Sequence, residues 1–261
     1  MKTYYYAHTG HRIGLDRFRR AAAILECIDV DITLLCSDFR IAQEARNFGI
    51  DKAVGIDVVR NIANIAQKGD KLILDSDEVN PVMLEDMRNY FSSLHLIRAD
   101  EVVVADKYFE PCEKTVKLSY FFGDDDYEKD LEKHLDFIED LNPHLQLGYY
   151  YFLDYEDMLK ERFTDYFEFE EYDEMIMRSE VLITASPQAV LESLASGGKP
   201  IYIQREDCIH HFAQKFQQMG VPIVKNYDKN VLNSTLHHIN EIKYAKIAPN
   251  CQKASFFIKK A

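Results

Sequence analysis

The sequence predicts an α/β protein made of two doubly wound domains, and three observations carry that prediction. Short apolar runs alternate with segments of helical periodicity along the whole chain, the pattern of parallel strands crossed by helices. The alternation breaks once, at KYFEPCEK (107–114), where Pro111 interrupts it, and then restarts. A length of 261 residues, 47% of them hydrophobic, is enough to bury two modest cores.

In the first half the apolar runs predict strands at 3–7, 31–36, 71–75, 94–97 and 102–105, with helices near 15–27, 41–48, 58–67 and 81–91. After the break, strands follow at 115–122, 145–151, 166–168, 181–184, 200–204 and 221–224. The domains are therefore placed at 1–112 and 113–261, with a cleft between them. The tail 243–261 gives few signals and reads either as a helix crossing back to the first domain or as a frayed end.

A formal charge of −13 argues against a general nucleic-acid or membrane-surface binder, because both partners are polyanionic. No run approaches the length of a membrane span and no apolar signal core follows Met1, so neither insertion nor export is expected. Five scattered cysteines without CxxC spacing fit a reducing compartment, hence a cytoplasmic protein. No metal or cofactor is expected, and the oligomeric state is open.

The loop 8–14 follows the first strand, where open α/β sheets bind ligands. The next helix buries Ile13, Phe18, Ala21, Ala22 and Leu25 by its period and leaves Arg17 and Arg20 three apart on one side. Cations near a helix N-terminus oppose its dipole by roughly 0.3 to 1 kcal/mol each unless an anion joins them. Two readings follow: Arg17 and Arg20 form a phosphate or carboxylate pocket with the open helix N–H groups, or they pair with Asp16, Glu26 or acids of the other domain. His8 and His11, flanked by Gly10 and Gly14, offer either a general base beside a close-approaching ligand or ordinary surface side chains.

In the second half, SEVLITASPQAVLESLASGGKPIYIQRED reads as strand, loop, helix, glycine turn and strand, with Ser186 as N-cap and Pro187 at the first helical position. Thr184, Ser186 and the helix N–H groups suit a diphosphate, and Glu192 either accepts both hydroxyls of a ribose or is an edge position of an amphipathic helix. In FFGDDDYEKDL, Gly123 precedes three aspartates, of which Asp125 or Asp126 caps the following helix. Three adjacent carboxylates repel phosphate unless a cation intervenes. The pairs His210–His211 and His237–His238 point to different helix faces and are assigned no chemistry.

Taken together, Ile13–Gly14 followed by Arg20, LILDSDEV (72–79), SYFFGDDD (119–126) and LITASPQAVLESLASGGKPIYI (182–203) resemble the two-domain, Rossmann-like GT-B architecture of nucleotide-sugar enzymes. The likeness is greatest to the UDP-sugar hydrolase of pseudaminic acid biosynthesis, and it covers nearly the whole chain. It implies a small-molecule nucleotide sugar, with Ser186 on the phosphates, Glu192 on the ribose and the first domain facing the sugar. Gly14, Arg20, Gly123, Gln204 and Arg205 join the implied substrate site, and His11, His8, Asp16 and Arg17 the implied catalytic one. In register, the family's glycine–histidine pair is Asp16–Arg17, its glycine-rich turn is Asp124–Asp125–Asp126, and its asparagine–glutamine pair is Gln204–Arg205. The expectation is thus a hydrolase-like enzyme of surface-glycan or flagellar sugar synthesis whose usual catalytic histidine is replaced. The alternatives are a GT-B glycosyltransferase or a silent nucleotide-sugar binder.

Overall fold

The computed structural model describes residues 1–28, 30–208 and 211–249. The expectations for most of the tail, for Cys251 and for His210 lie outside the described residues. The chain divides into one compact unit over Met1–Asp106 and another over Lys107–Ala248.

The first unit holds strands β1 (Thr3–Ala7), β2 (Ile32–Cys36), β3 (Ala53–Gly55), β4 (Lys71–Asp75) and β5 (Ser93–Leu96), with helices α1 (Asp16–Glu26), α2 (Phe39–Glu44) and α3 (Pro81–Tyr90). The strands are all parallel in the order β3-β2-β1-β4-β5. Central β1 is buried on both faces, so its run YYYA carries no polar alternation. Tyr4, Tyr6, Leu35, Leu72 and Leu74 build one core layer with Ile56, Val59, Ile62 and Phe91. Helix α1 buries Phe18, Ala21 and Ile24 at threefold spacing, and buries Arg19 and Arg20 with them.

Two expectations change here. Segment 102–105 forms no strand, although Val103 and Val104 are buried. An apolar run reports burial, whereas a strand also needs a neighbour to hydrogen-bond. Conversely, β3 has only three residues and no apolar run of its own, so the sequence gives it no signal; its register against Leu34–Cys36 makes it a strand. The helix expected over 58–67 is a 3-10 turn at Val59–Asn64.

The second unit carries β6 (Val116–Phe121), β7 (His144–Gln146), β8 (Tyr166–Phe167), β9 (Ser179–Thr184), β10 (Lys199–Gln204) and β11 (Ile223–Lys225). They are parallel in the order β11-β10-β9-β6-β7-β8. The helices are α4 (Leu135–Ile138), α5 (Leu153–Arg162), α6 (Tyr172–Arg178), α7 (Pro187–Ala195), α8 (Ala213–Gln218) and α9 (Lys229–His237). Strand β7 stops well short of its predicted end because the chain turns in at Gly148, where a Cβ would stand 2.5 Å from the Gly123 carbonyl oxygen. Helix α7 begins as its sequence dictates: Ser186 Oγ accepts the Ala189 N–H at 3.0 Å, and Pro187 follows. Cys36, Cys112 and Cys208 carry free thiols, whereas Cys27 takes part in a disulfide, so uniformly reduced cysteines are not found.

Candidate functional site

In the first unit the strand ends decide which side chains meet. Ala7 stands opposite Cys36 on one side and Asp75 on the other, so the residues just beyond β1, β2 and β4 converge at the carboxyl edge of the sheet. Asp75 is nearly fully buried and accepts from Arg20 Nε at 2.9 Å, Arg20 Nη2 at 2.6 Å and the Tyr5 hydroxyl at 3.0 Å. Arg20 also donates to the Ala99 carbonyl at 3.2 Å. Arg17 spans two carboxylates, its Nε 3.6 Å from Asp75 and its Nη2 3.0 Å from Asp77.

Asp77 then holds His8, with Oδ1 2.9 Å from Nδ1. The hydrogen bond to His8, reinforced by Arg17, keeps the Asp77 carboxyl below its ordinary range. An ionised carboxylate only accepts, so His8 Nδ1 carries a proton toward Asp77. Nε2 stands 3.8 Å from Glu78 Oε2. Glu78 is held in turn by the hydroxyls of Tyr6 and Ser76, and Tyr6 bonds Ser37 Oγ at 3.0 Å.

His8 and Glu78 line a cavity of about 530 Å³ together with segments 9–13 and 37–40, Asp57 and Val58. Its size is that of a small-molecule site. His11 stands exposed in its wall. Gly14 closes the loop by donating its N–H to the Gly10 carbonyl at 2.8 Å, with φ +75 at Gly14.

These contacts correct the anion-pocket reading of Arg17 and Arg20. Their charges are already met by Asp75 and Asp77, and neither side chain is part of the cavity lining. Asp16 occupies the first turn of α1, where a carboxylate favours the helix dipole, and is likewise outside that lining. His8 is brought into contact with Asp77 and Glu78, and these two are the residues that reasoning from the loop alone missed. Their signal was the acid-rich end of the strand run, DSDE (75–78).

In the second unit, adjacent strands β10, β9 and β6 bring Gln204–Arg205, Thr184–Ser186 and Gly123–Asp126 to one edge. Thr184 Oγ1 accepts the Ser186 N–H at 3.0 Å, so both hydroxyls shape the entry to α7. The three aspartates are dispersed among separate partners. Asp124 accepts from the Tyr149 N–H at 3.2 Å, and Asp126 from the N–H groups of Asp130 and Leu131 and from the Tyr155 hydroxyl. Burial pushes the Asp126 carboxyl above its ordinary range.

Asp125 receives the cation that a triple aspartate calls for: Arg205 Nη1 lies 3.0 Å away. Arg205 also grips Asp207 at 3.0 and 2.6 Å and lies over the Phe122 ring. Burial opposes its charge, but Asp125 and Asp207 more than offset this and raise its pKa. Gly123, at φ +137, has Asp125 Oδ1 2.6 Å from where a Cβ would be. Arg205 is therefore a buried organiser of this loop, a correction to its expected place on the substrate. Gln204 Oε1 is buried with no hydrogen-bond partner among the described residues.

Glu192 is a second correction. It is 1% exposed, its Oε2 accepts from the Tyr172 hydroxyl at 2.7 Å and its Oε1 from Gln188 Nε2 at 2.9 Å, so its carboxylate is sequestered within the unit and not offered to a ribose.

Solved structures share this fold. The UDP-GlcNAc 2-epimerase of Methanocaldococcus jannaschii, solved with UDP-GlcNAc and UDP, superposes with a TM-score of 0.59 at 9% identity, covering 99% of each chain. The glycosyltransferase SnogD from Streptomyces nogalater gives 0.54 at 11% over 100% of both chains. A glycosyltransferase from Rickettsia africae gives 0.52 at 10%, over 99% of this chain and 93% of that one. No protein-family model and no curated protein sequence matches the chain. At such identities the likeness is one of fold: two Rossmann-like α/β units of the GT-B type. These structures support the fold and do not bear on the pseudaminic-acid hydrolase in particular.

Proposed function

We propose that this protein is an enzyme that transfers a sugar from a nucleotide-activated donor to a hydroxyl group, with His8 as the base. The observation that carries the reading is the His8–Asp77 pair at the cavity on the first unit. In the step, the acceptor oxygen bonds to the anomeric carbon, the bond from that carbon to the diphosphate breaks, and Nε2 takes the acceptor's proton. Asp77 fixes the tautomer and stabilises the imidazolium that forms, and Arg17 anchors Asp77.

The second unit is assigned the nucleotide: Thr184, Ser186 and the start of α7 suit the diphosphate, and the orphaned Gln204 Oε1 suits a donor on the base. The first unit, Met1–Asp106, is assigned the acceptor, and the second, Lys107–Ala248, the donor. The fold it shares with an epimerase bound to UDP-GlcNAc and with glycosyltransferases supports a nucleotide sugar, UDP-linked in the first instance. Residence in the cytoplasm belongs to the same proposal; three free thiols favour it and the disulfide at Cys27 does not. Among the described residues no helix is long and apolar enough to cross a membrane.

The test is a thermal-shift screen against UDP, GDP, CMP and their sugar conjugates, followed by product analysis with and without acceptor. A stabilising UDP-sugar whose sugar is passed on only when a hydroxylated acceptor is present is the expected result. Free sugar formed equally fast without acceptor returns the hydrolase reading, and no shift with any nucleotide refutes both.

A further inference from the structure

The wall of the first unit's cavity displays an aromatic ring that the fold goes out of its way to hold. Phe39 opens α2 and is 59% exposed, unusual for so large an apolar side chain. It rests directly on Gly55: a Cβ there would lie 2.6 Å from Phe39 Cα and 2.7 Å from its Cδ1. Only a glycine at the end of β3 allows this approach, so the ring is supported from below and open above. Val58, 39% exposed, extends the apolar surface beside it.

Around this platform the cavity mixes apolar surface with charged side chains that nearly balance. Arg12 and Arg40 face Asp38, Asp57 and Glu78 across the lining, one negative charge in excess with the histidines neutral. Asp38 is held by Arg40 Nη2 at 3.0 Å and by its own cap on the Arg40 N–H at 2.7 Å. A small excess of carboxylate repels phosphates and sugar acids, while paired carboxylates and guanidinium groups hydrogen-bond well to hydroxyls.

We infer that this cavity takes the terminal pyranose of an uncharged saccharide, its C–H face on Phe39 and its hydroxyls among Asp38, Asp57 and Glu78, close to His8. This deepens the transferase reading and rests on it for the role of the bound sugar as acceptor. Binding itself does not depend on that reading, and the test uses this.

Because the chain has no Trp to report by fluorescence, saturation-transfer NMR and calorimetry are the suitable probes. Methyl pyranosides (gluco, galacto and N-acetylglucosamine forms), glucose 6-phosphate and glucuronic acid are titrated into the full chain without nucleotide. At least one neutral pyranoside should bind more tightly than both anionic sugars. Phe39→Ala should weaken it about tenfold and Phe39→Tyr should restore it, with UDP affinity unchanged in all three proteins. Preference for the phosphate or the acid, equal binding to Phe39→Ala, or no pyranoside binding at the solubility limit overturns the inference. If neutral sugars bind as expected but no nucleotide does, the transferase reading fails and the saccharide site stands.

Discussion

The two units place a buried arginine at the carboxyl edge of a parallel sheet and use it in opposite ways. In the second unit the contacts close on themselves: Arg205 joins Asp125 to Asp207, and Glu192 is capped by Tyr172 and Gln188. In the first unit they run outward, from Arg20 through Asp75, Arg17 and Asp77 to His8 in a cavity wall. A closed set of ion pairs fixes a loop. A chain of pairs that ends on an imidazole also orients that ring, which the closed set does not do.

The comparison breaks most visibly at the ring itself. His8→Ala should lower turnover by about 10² to 10⁴-fold with nucleotide affinity unchanged, as steady-state kinetics and calorimetry will show. A Glu192→Gln variant, touching the closed set, should leave turnover within a few fold. Equal losses from both would mean that the two units do not divide the labour in this way.

Next in size is the anchor of the outward chain. Asp75→Ala leaves Arg20 buried without its carboxylate and should cost about 3–5 kcal/mol in urea unfolding. Arg205→Ala should cost less, because Asp207 is half exposed and can rehydrate. Ser186→Ala, which removes the α7 cap, should cost about 1 kcal/mol by the same measurement.

The smallest effect is one of pH. Asp77 has a lower pKa folded than unfolded, so its stabilisation is complete above the ordinary carboxylate value of about 3.9 and fades as pH falls through the folded value. Asp77→Asn should therefore make the acid limb of the stability profile shallower. It should also depress turnover at neutral pH, because Asn cannot hold His8 in one tautomer by charge. An unchanged acid limb would place the His8–Asp77 contact outside the folded state's energetics.

Much of the architecture was legible because it is written in local patterns. Runs such as TYYYA and KLILD bound β1 and β4 to the residue, and Ser186–Pro187 marked the start of α7. Where a run was absent, as at β3, or present without a strand neighbour, as at 102–105, the pattern misled. The site was harder to read. Loop 8–14 was located from its place after β1, but its histidine had no visible partner, since Asp77 lies 69 residues away. The same blindness made Arg17 and Arg20 resemble an anion site and Glu192 a ribose ligand, because exposure is not a property of three or four adjacent letters.

The sequence by itself determined that this is a parallel α/β chain in two wound halves, with ligand chemistry due at the ends of particular strands. Burial on both faces and helical period are properties of neighbouring residues, and so they survive in the linear text. Only the tertiary structure decided which charges meet. Strand order set Ala7 beside Asp75, and that one adjacency joined four arginine and aspartate side chains into a chain of ion pairs that ends on His8. Electrostatic partners are chosen by distance in space, which a sheet assigns and a sequence does not.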